Sequence, residues 1–369
     1  MIIENEKFIK IHPEFKLNGE RYTLDKLRKQ ATFFISNGEP YEESVGVFLL
    51  DWLNDNKYVT VNTSGSTGTP KSIRLRKIHM VNSAIATGKH FKLKEKTKAL
   101  LCLPTHFIAG KMMLVRALIL GWHLDMGIPS TNPLDHIFRR YDFCAMTPLQ
   151  LDNSLGRMHL LKKLIVGGGP VPPELRLRLR EYETKMYETY GMTETITHIA
   201  TRRLNNKKTK TDNQPFKTLQ NVTVAVDDRG CLIIKAPKVS TDPVVTNDLV
   251  DIITYKKFIW KGRIDNVVNS GGVKLHPEGI EQELAAYIDT PFFVAGLPDD
   301  KLGERLVLFV EQEEPYAFAK AYFKDANLTK LQIPKEAYTV ARFERTGTGK
   351  IKRGETIKAY FDALPNAGA

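Results

Sequence analysis

Residues 63–72, Thr63-Ser64-Gly65-Ser66-Thr67-Gly68-Thr69-Pro70-Lys71-Ser72, have the composition of a phosphate-binding loop. Small residues let backbone N–H groups approach phosphate oxygens, the Ser and Thr hydroxyls add donors, and Lys71 adds charge. Gly65, Lys71 and Ser72 are also spaced as in a Walker loop, but Pro70 stands at that motif's second glycine and has no N–H to donate. The segment SIRLR that follows reads as a strand, so the helix N-terminus required by a Walker loop is missing.

Further strings are weaker when taken singly. Glu194, in Tyr190-Gly191-Met192-Thr193-Glu194-Thr195, offers the hard oxygen ligand that Mg²⁺ prefers, although a strand end and turn explains the string equally well. Gly167-Gly168-Gly169-Pro170, after KKLIV, reads alone as a plain connecting loop. In Thr246-Asn247-Asp248 the asparagine tolerates a left-handed backbone and so permits a turn before Asp248. Arg263 and Asp265 are at the least a surface ion pair of little worth, and the glycine turn Ser270-Gly271-Gly272-Val273-Lys274 follows them. Thr346-Gly347-Thr348-Gly349-Lys350 places a lysine at the tip of a mobile loop, able to deliver a cation to a closing site.

The order of these strings changes their meaning. The 63–72 loop resembles the signature loop of the adenylate-forming (AMP-binding) superfamily, which includes acyl-CoA synthetases, peptide-synthetase adenylation domains and luciferases. The other strings follow in that family's order across roughly residues 60 to 355. The resemblance implies that Thr63, Ser64, Gly65, Ser66, Thr67, Gly68 and Lys71 hold the phosphates of ATP, and that Gly168, Gly169, Tyr190 and Gly191 lie by the adenine. It implies that Thr193 contacts the α-phosphate, Glu194 holds Mg²⁺, Asp248 receives the ribose hydroxyls and Arg263 reaches ribose or phosphate. Asp265 is then a pivot between domains, Gly271 and Gly272 border a tunnel for coenzyme A, and Lys350 is the adenylation lysine. Asn247 departs from the family, which has glycine there. The implied reaction is attack of a carboxylate on the α-phosphorus of ATP, expelling pyrophosphate, and then attack of the coenzyme A thiol on the acyl-adenylate. Loading of a carrier-protein phosphopantetheine would use the same residues for its first half.

These residues need a scaffold, and the chain supplies an alternating one. Apolar runs such as KALLCLP, FCAMTP and KKLIVGG alternate with helix-like segments. In Lys77 to His90, Ile78, Val81, Ala84, Ile85 and Gly88 share one face. That pattern predicts an α/β fold, a large multi-layered N-terminal domain of β-sheet covered by helices. From Val222 strict alternation predicts a hairpin around Asp227-Asp228-Arg229-Gly230, then short strands at Leu249–Ile253 and Lys257–Lys261. The boundary is placed at Gly262, giving a domain of residues 1–262 for nucleotide and acid and a small mobile α+β domain of residues 263–369. In the latter, Pro277 opens a helix, PFFVAG and RLVLFVEQ are strands, and YAFAKAYFKDA is a helix.

Composition excludes several classes. Apolar residues at 42% and charged residues at 26% are globular proportions. The net charge of +12 raises a non-enzymatic nucleic-acid-binding reading, but the Lys and Arg are scattered and equally suit steering of ATP and coenzyme A. The N-terminus has no apolar stretch of signal-peptide length, and the run Met112 to Leu124 is broken by Arg116, so a cytoplasmic chain without membrane insertion is expected. Cys102, Cys144 and Cys231 are expected to be buried thiols.

The segment Leu103-Pro104-Thr105-His106-Phe107-Ile108-Ala109-Gly110-Lys111-Met112-Met113 and the short length are most similar to the o-succinylbenzoate-CoA ligases of menaquinone synthesis. Such a substrate keeps its aromatic carboxylate while its succinyl carboxylate reacts, so a buried cation or polar donors should line the acid pocket. Arg116 is the first candidate, and His106 and His198 are others.

Overall fold

The computed structural model describes residues 10–62, 72–205, 214–319, 323, 326–346 and 349–363. The chain begins with the hairpin β1 (Lys16–Leu17) and β2 (Glu20–Arg21), helices α1 (Leu24–Asn37) and α2 (Pro40–Leu53), and the hairpin β3 (Tyr58–Asn62) and β4 (Ser72–Arg76). Helix α3 (Lys77–Phe91), β5 (Lys98–Leu101), α4 (Ile108–Leu120), β6 (His123–Met126), β7 (Phe143–Met146), α5 (Pro148–Asn153), β8 (Lys163–Val166), α6 (Pro173–Arg178) and β9 (Lys185–Gly191) form an alternating α/β unit. Within it β1, β6, β5, β7, β8 and β9 run parallel, in that spatial order.

The continuous apolar runs now have a cause. Along β7, Phe143 and Ala145 enter one core while Cys144 and Met146 enter another. On β8, Ile165 and the pair Leu164 and Val166 divide in the same way. A parallel sheet covered on both faces has no solvent side, so alternation disappears from its sequence. All three cysteines are buried free thiols.

An antiparallel half extends this sheet through β10 (His198–Arg203), β11 (Phe216–Thr218), β12 (Thr223–Val226), β13 (Cys231–Lys235), β14 (Val244–Thr254) and β15 (Lys257–Arg263). The full order is β12-β13-β14-β15-β11-β10-β9-β8-β7-β5-β6-β1-β2. The hairpin at Asp227–Gly230 forms as expected, with β12 and β13 in register. The strand expected at Leu249–Ile253 is longer, because β14 pairs with β13 on one side and β15 on the other.

A second sheet contains β16 (Val268–Ser270), β17 (Val273–Leu275), β18 (Phe292–Asp299), β19 (Gly303–Glu311) and β20 (Ala337–Val340). Helix α7 (Pro277–Leu284) sends Ile280 and Leu284 to the core that holds Val294 and Leu308, while Ile357 and Tyr360 of α8 (Arg353–Ala363) meet Phe293 and Phe309 on the other face. Of the helix expected over 316–326, residues 316–319 form no regular structure and 320–322, 324 and 325 lie outside the described residues. Only the turn Ile264–Asn266 and Val267 separate β15 of the first sheet from β16 of the second.

One buried ionic cluster fixes the end of the parallel half. Glu188 Oε2 on β9 accepts from Arg176 at 2.9 Å and Arg202 at 2.7 Å, and its Oε1 accepts the Val171 N–H at 3.1 Å. Val171 follows the Gly167–Pro170 loop directly, so the carboxylate ties that loop to the sheet. Removing one partner of a buried pair leaves the other charge uncompensated. Glu188→Ala should therefore lose about 3–5 kcal/mol of unfolding free energy, read by urea denaturation.

Candidate active site

A cleft of about 1860 Å³ opens at the carboxyl ends of the parallel strands, where open α/β sheets place their ligands. Its walls include Thr147, Gly167, Gly168, Gly169, Tyr190, Gly191, Thr193, Glu194, Asp248, Arg263 and Lys350. Five strings spread from Gly167 to Lys350 therefore meet around one space.

Tyr190, the penultimate residue of β9, is packed edge-on against Phe258 at 5.1 Å and tilted against Phe216 at 5.7 Å. Its hydroxyl donates to Asp248 Oδ2 at 2.5 Å. Burial, and then the Asp248 charge, push the phenol well above its ordinary pKa, so it stays protonated and remains a donor. Gly191 has no substitute here: a Cβ would lie 2.1 Å from the Thr197 carbonyl oxygen. That closeness comes from a tight reversal in which Thr193–Thr195 form a 3-10 turn and Ile196 follows at φ +67° and ψ −63°. The Thr197 N–H closes a three-residue turn on the Thr195 oxygen at 2.8 Å. A β-branched residue at positive φ stores about 1–3 kcal/mol, and here it sits on the cleft wall.

Asp248 lies on β14 directly opposite Arg263 on β15. The Asp248 N–H donates to Thr246 Oγ1, whose own hydroxyl donates to the Leu232 oxygen. The left-handed turn expected at Asn247 is absent: Asn247 is in mid-strand and has no positive φ. Two-sided pairing of β14 holds it extended, and Asp248 keeps its place on the cleft. Asn247 instead donates from Nδ2 to Asp265 at 3.1 and 3.4 Å.

Lys350 reaches the cleft from the second-sheet side. Its loop is tied by Thr346 N–H to the Lys350 oxygen at 2.8 Å and by Lys350 N–H to Thr346 Oγ1 at 3.1 Å. Burial, and then Arg263, lower the Lys350 pKa, against the opposing pull of Asp248. Lys350 is exposed on the cleft wall, a cation open to an incoming anion. Arg263 is lowered by burial, but its bond to Asp265 at 2.6 Å and the charge of Asp248 raise it overall.

The inner wall carries a different feature. Helix α4 is buried on nearly every side, and its Arg116 is 2% exposed. NH2 donates to Thr197 Oγ1 at 3.2 Å and NH1 to Met113 Sδ at 3.6 Å, while Nε has no partner. Among the described residues no carboxylate pairs with it. Burial pushes its pKa down to about 9, which still leaves it charged at neutral pH. His198, also on the wall, is held well below its ordinary pKa by burial and then by Arg116 and His90, so it is neutral.

Other expected residues fall elsewhere. Thr63, Ser64, Gly65, Ser66, Thr67, Gly68 and Lys71 lie outside the described residues, although their flanks Asn62 and Ser72 are register partners in a hairpin and a strand follows, as read from SIRLR. His106 is exposed, tilted against Phe107 at 4.1 Å, and is not part of the cleft wall. Gly271 and Gly272 form the β16–β17 turn, both with positive φ, and do not border the cleft. Thr197, Ser83 behind it at 3.1 Å, and Arg229 carried no motif in the sequence, and only contact reveals them. Among the described residues no three acidic, His or Cys side chains converge on a metal position. Glu194, exposed on the cleft wall beside Thr193, offers a divalent ion a carboxylate oxygen, a donor that fits magnesium arriving on phosphate oxygens. Among the described residues no helix is long and apolar enough to cross a membrane.

The family model of AMP-binding enzymes matches residues 51–235. A 2-succinylbenzoate–CoA ligase of Bacillus cereus (strain ATCC 10987 / NRS 248) is 25% identical over 331 residues, 80% of this chain and 68% of the relative. Among solved structures, an acyl-CoA synthetase (AMP-forming)/AMP-acid ligase II-like protein from Dyadobacter fermentans DSM 18053 has 35% identity and TM-score 0.59, covering 92% of this chain and 99% of that one. The o-succinylbenzoate coenzyme A synthetase of Bacillus subtilis, in complex with ATP and magnesium ion, has the same fold at 19% identity and TM-score 0.73, covering 92% of this chain and 83% of that one.

A buried guanidinium without a carboxylate partner costs stability that an apolar side chain of similar length would not. Arg116→Met should raise the unfolding free energy of the ligand-free protein by about 1–3 kcal/mol, read by thermal and urea unfolding.

Proposed function

Since this chain belongs to the AMP-binding enzymes and is an AMP-forming acid–thiol ligase of the acyl-CoA synthetase type, we propose that its acid is o-succinylbenzoate and its thiol coenzyme A. The observation that carries the choice of acid is Arg116. It is a charged group on the cleft wall, held out of water with no carboxylate partner among the described residues, and a second, unreacting carboxylate on the substrate would complete it. A monocarboxylic acid would leave that cost unanswered. The ligases at about 24–25% identity that act on 2-succinylbenzoate point to the same acid.

On this reading the aromatic carboxylate meets Arg116, with Thr197 and neutral His198 beside it, and the succinyl carboxylate faces the α-phosphate of ATP. Adenine lies between the Gly167–Gly169 loop and Tyr190, and the ribose hydroxyls donate to Asp248, which Tyr190 orients. Glu194 would hold magnesium, which neutralises the phosphates when bound. Attack of the carboxylate oxygen on the α-phosphorus forms the acyl-adenylate and releases pyrophosphate. Negative charge grows at phosphorus, where Lys350, Arg263, Thr193 and the donors of the 63–71 loop stabilise it. The coenzyme A thiol then attacks the acyl carbon, and AMP leaves. We assign residues 1–262 and 263–369 as the two domains and the turn at Asp265 as their pivot, with Gly271 and Gly272 bordering the thiol's path once the second domain has turned.

The experiment is a pyrophosphate-release screen over aryl, fatty and amino acids with ATP, Mg²⁺ and coenzyme A, with o-succinylbenzoate included. Turnover of o-succinylbenzoate to its thioester is expected, and robust use of another acid with none of this one would reject the assignment. Arg116→Ala should raise KM for the acid about 10²-fold with ATP affinity unchanged, as for a lost buried charge pair. Lys350→Ala should slow adenylation by about 10²–10³-fold and spare thiol attack on presynthesised acyl-adenylate, as for one lost preorganised donor. Lys352, which is spent on Glu355 at 2.9 Å, is the internal control.

A further inference from the structure

The residue at 247 is an asparagine where the family resemblance has glycine, and the structure gives its side chain a defined task. At the β12–β13 hairpin tip, Arg229 is clamped by Asp227, with Nε to Oδ2 at 2.9 Å. From there Arg229 donates through NH2 to the Thr246 oxygen at 3.1 Å and through NH1 to Asn247 Oδ1 at 3.3 Å. With its oxygen occupied in this way, Asn247 presents Nδ2 to both oxygens of Asp265. Asp265 in turn accepts from Arg263 NH2 at 2.6 Å. The chain of contacts runs from a hairpin of the first sheet, through Asn247, into the turn Ile264–Asn266 that leads to the second sheet.

That turn is where the orientation of the second sheet is decided. Thr246 and Asp248, on either side of Asn247, are buried and fixed by β13 and Tyr190, so Asn247 has a rigid base. At the end of the turn, Asn266 Nδ2 donates to Glu278 Oε1 at 2.5 Å, and Arg353, three residues after Lys350, approaches Glu278 and Glu281. Restraining Asp265 therefore restrains the body that carries Lys350. A glycine at 247 would remove the link between Arg229 and Asp265, leaving Arg229 to Asp227 and Thr246 and Asp265 to Arg263.

We propose that Asn247 is a positioning residue that holds the second-sheet body in the orientation placing Lys350 in the cleft, through its amide bridge between Arg229 and Asp265. What the orientation serves rests on the ligase reading above. The bridge itself does not. It acts on the equilibrium between orientations, and loss of one hydrogen bond to a charged group shifts such an equilibrium by about tenfold.

The test places nitroxide labels at Glu183→Cys on the first-sheet body and Lys301→Cys on the second, both exposed positions, while the native cysteines are buried. Interspin distances are measured with and without magnesium–ATP in the parent, N247G and N247D. N247G removes the bridge. N247D keeps Arg229 but sets a carboxylate against Asp265. Both should raise the population outside the parent's main distance by about tenfold, and an unchanged distribution in either variant overturns the proposal. No acid substrate enters this measurement, so it stands even if the assigned acid fails. With an acid that the screen identifies, N247G should slow pyrophosphate formation about tenfold and leave thiol attack on preformed acyl-adenylate undiminished. Equal slowing of both halves would give Asn247 a merely structural role.

Discussion

The hydrogen bond from Tyr190 to Asp248 is the constraint on which the site depends. It joins the last parallel strand to β14, a strand four places away in the sheet. The bond works only because Tyr190 is wedged by Phe216 and Phe258, and those rings belong to β11 and β15, which lie between the two strands. Three elements of the antiparallel half thus converge on one phenol of the parallel half. The carboxylate so held is 9% exposed, faces the cleft and stands opposite Arg263, so the nucleotide side of the site is already electrostatically arranged before a ligand arrives.

The acid side is arranged at a cost to the fold. An all-round buried helix such as α4 would ordinarily hold apolar residues alone, and Arg116 violates that rule with weak compensation from one hydroxyl and one thioether. Ile196 at positive φ and the neutral His198 crowd the same wall. Departures from local rules that gather at one place are where proteins concentrate function at the expense of stability.

Much of this was legible in the sequence, for identifiable reasons. Motif order gathered Tyr190, Glu194, Asp248, Arg263 and Lys350 at one cleft; all but Asp248, which lies within β14, sit at a strand end, turn or loop whose residue types the chemistry restricts. Arg116 was legible as a charge interrupting an apolar run. His106 lies in the same segment, but the turn before α4 leaves it outside the cleft wall. The turn expected at Asn247 was misread. Local tolerance of left-handed backbone says nothing about a neighbouring strand on each side, and that non-local pairing determines the conformation of β14. Arg229 and Ser83 could not be read at all, since their roles arise from contacts across 18 and 114 residues of chain.

Close contact at Gly262 joins the end of the first sheet to the helix that covers the second. Gly262 has φ +134°, and a Cβ there would meet Glu278 Oε2 at 2.2 Å, so β15 and α7 touch without room for a side chain. Glu278 Oε2 is buried without a hydrogen-bond partner, while Oε1 is taken by Asn266. An unpaired buried carboxylate oxygen is expensive only while the contact persists, and water relieves it once the surfaces part. The contact is therefore held by the cationic groups around it, Arg353 and Lys350, and by the hydrogen bonds at the turn, rather than by Glu278 itself. Lys350 is one of those charges and also the cation presented to the cleft, so an anion entering the cleft alters the same electrostatic balance that surrounds Glu278.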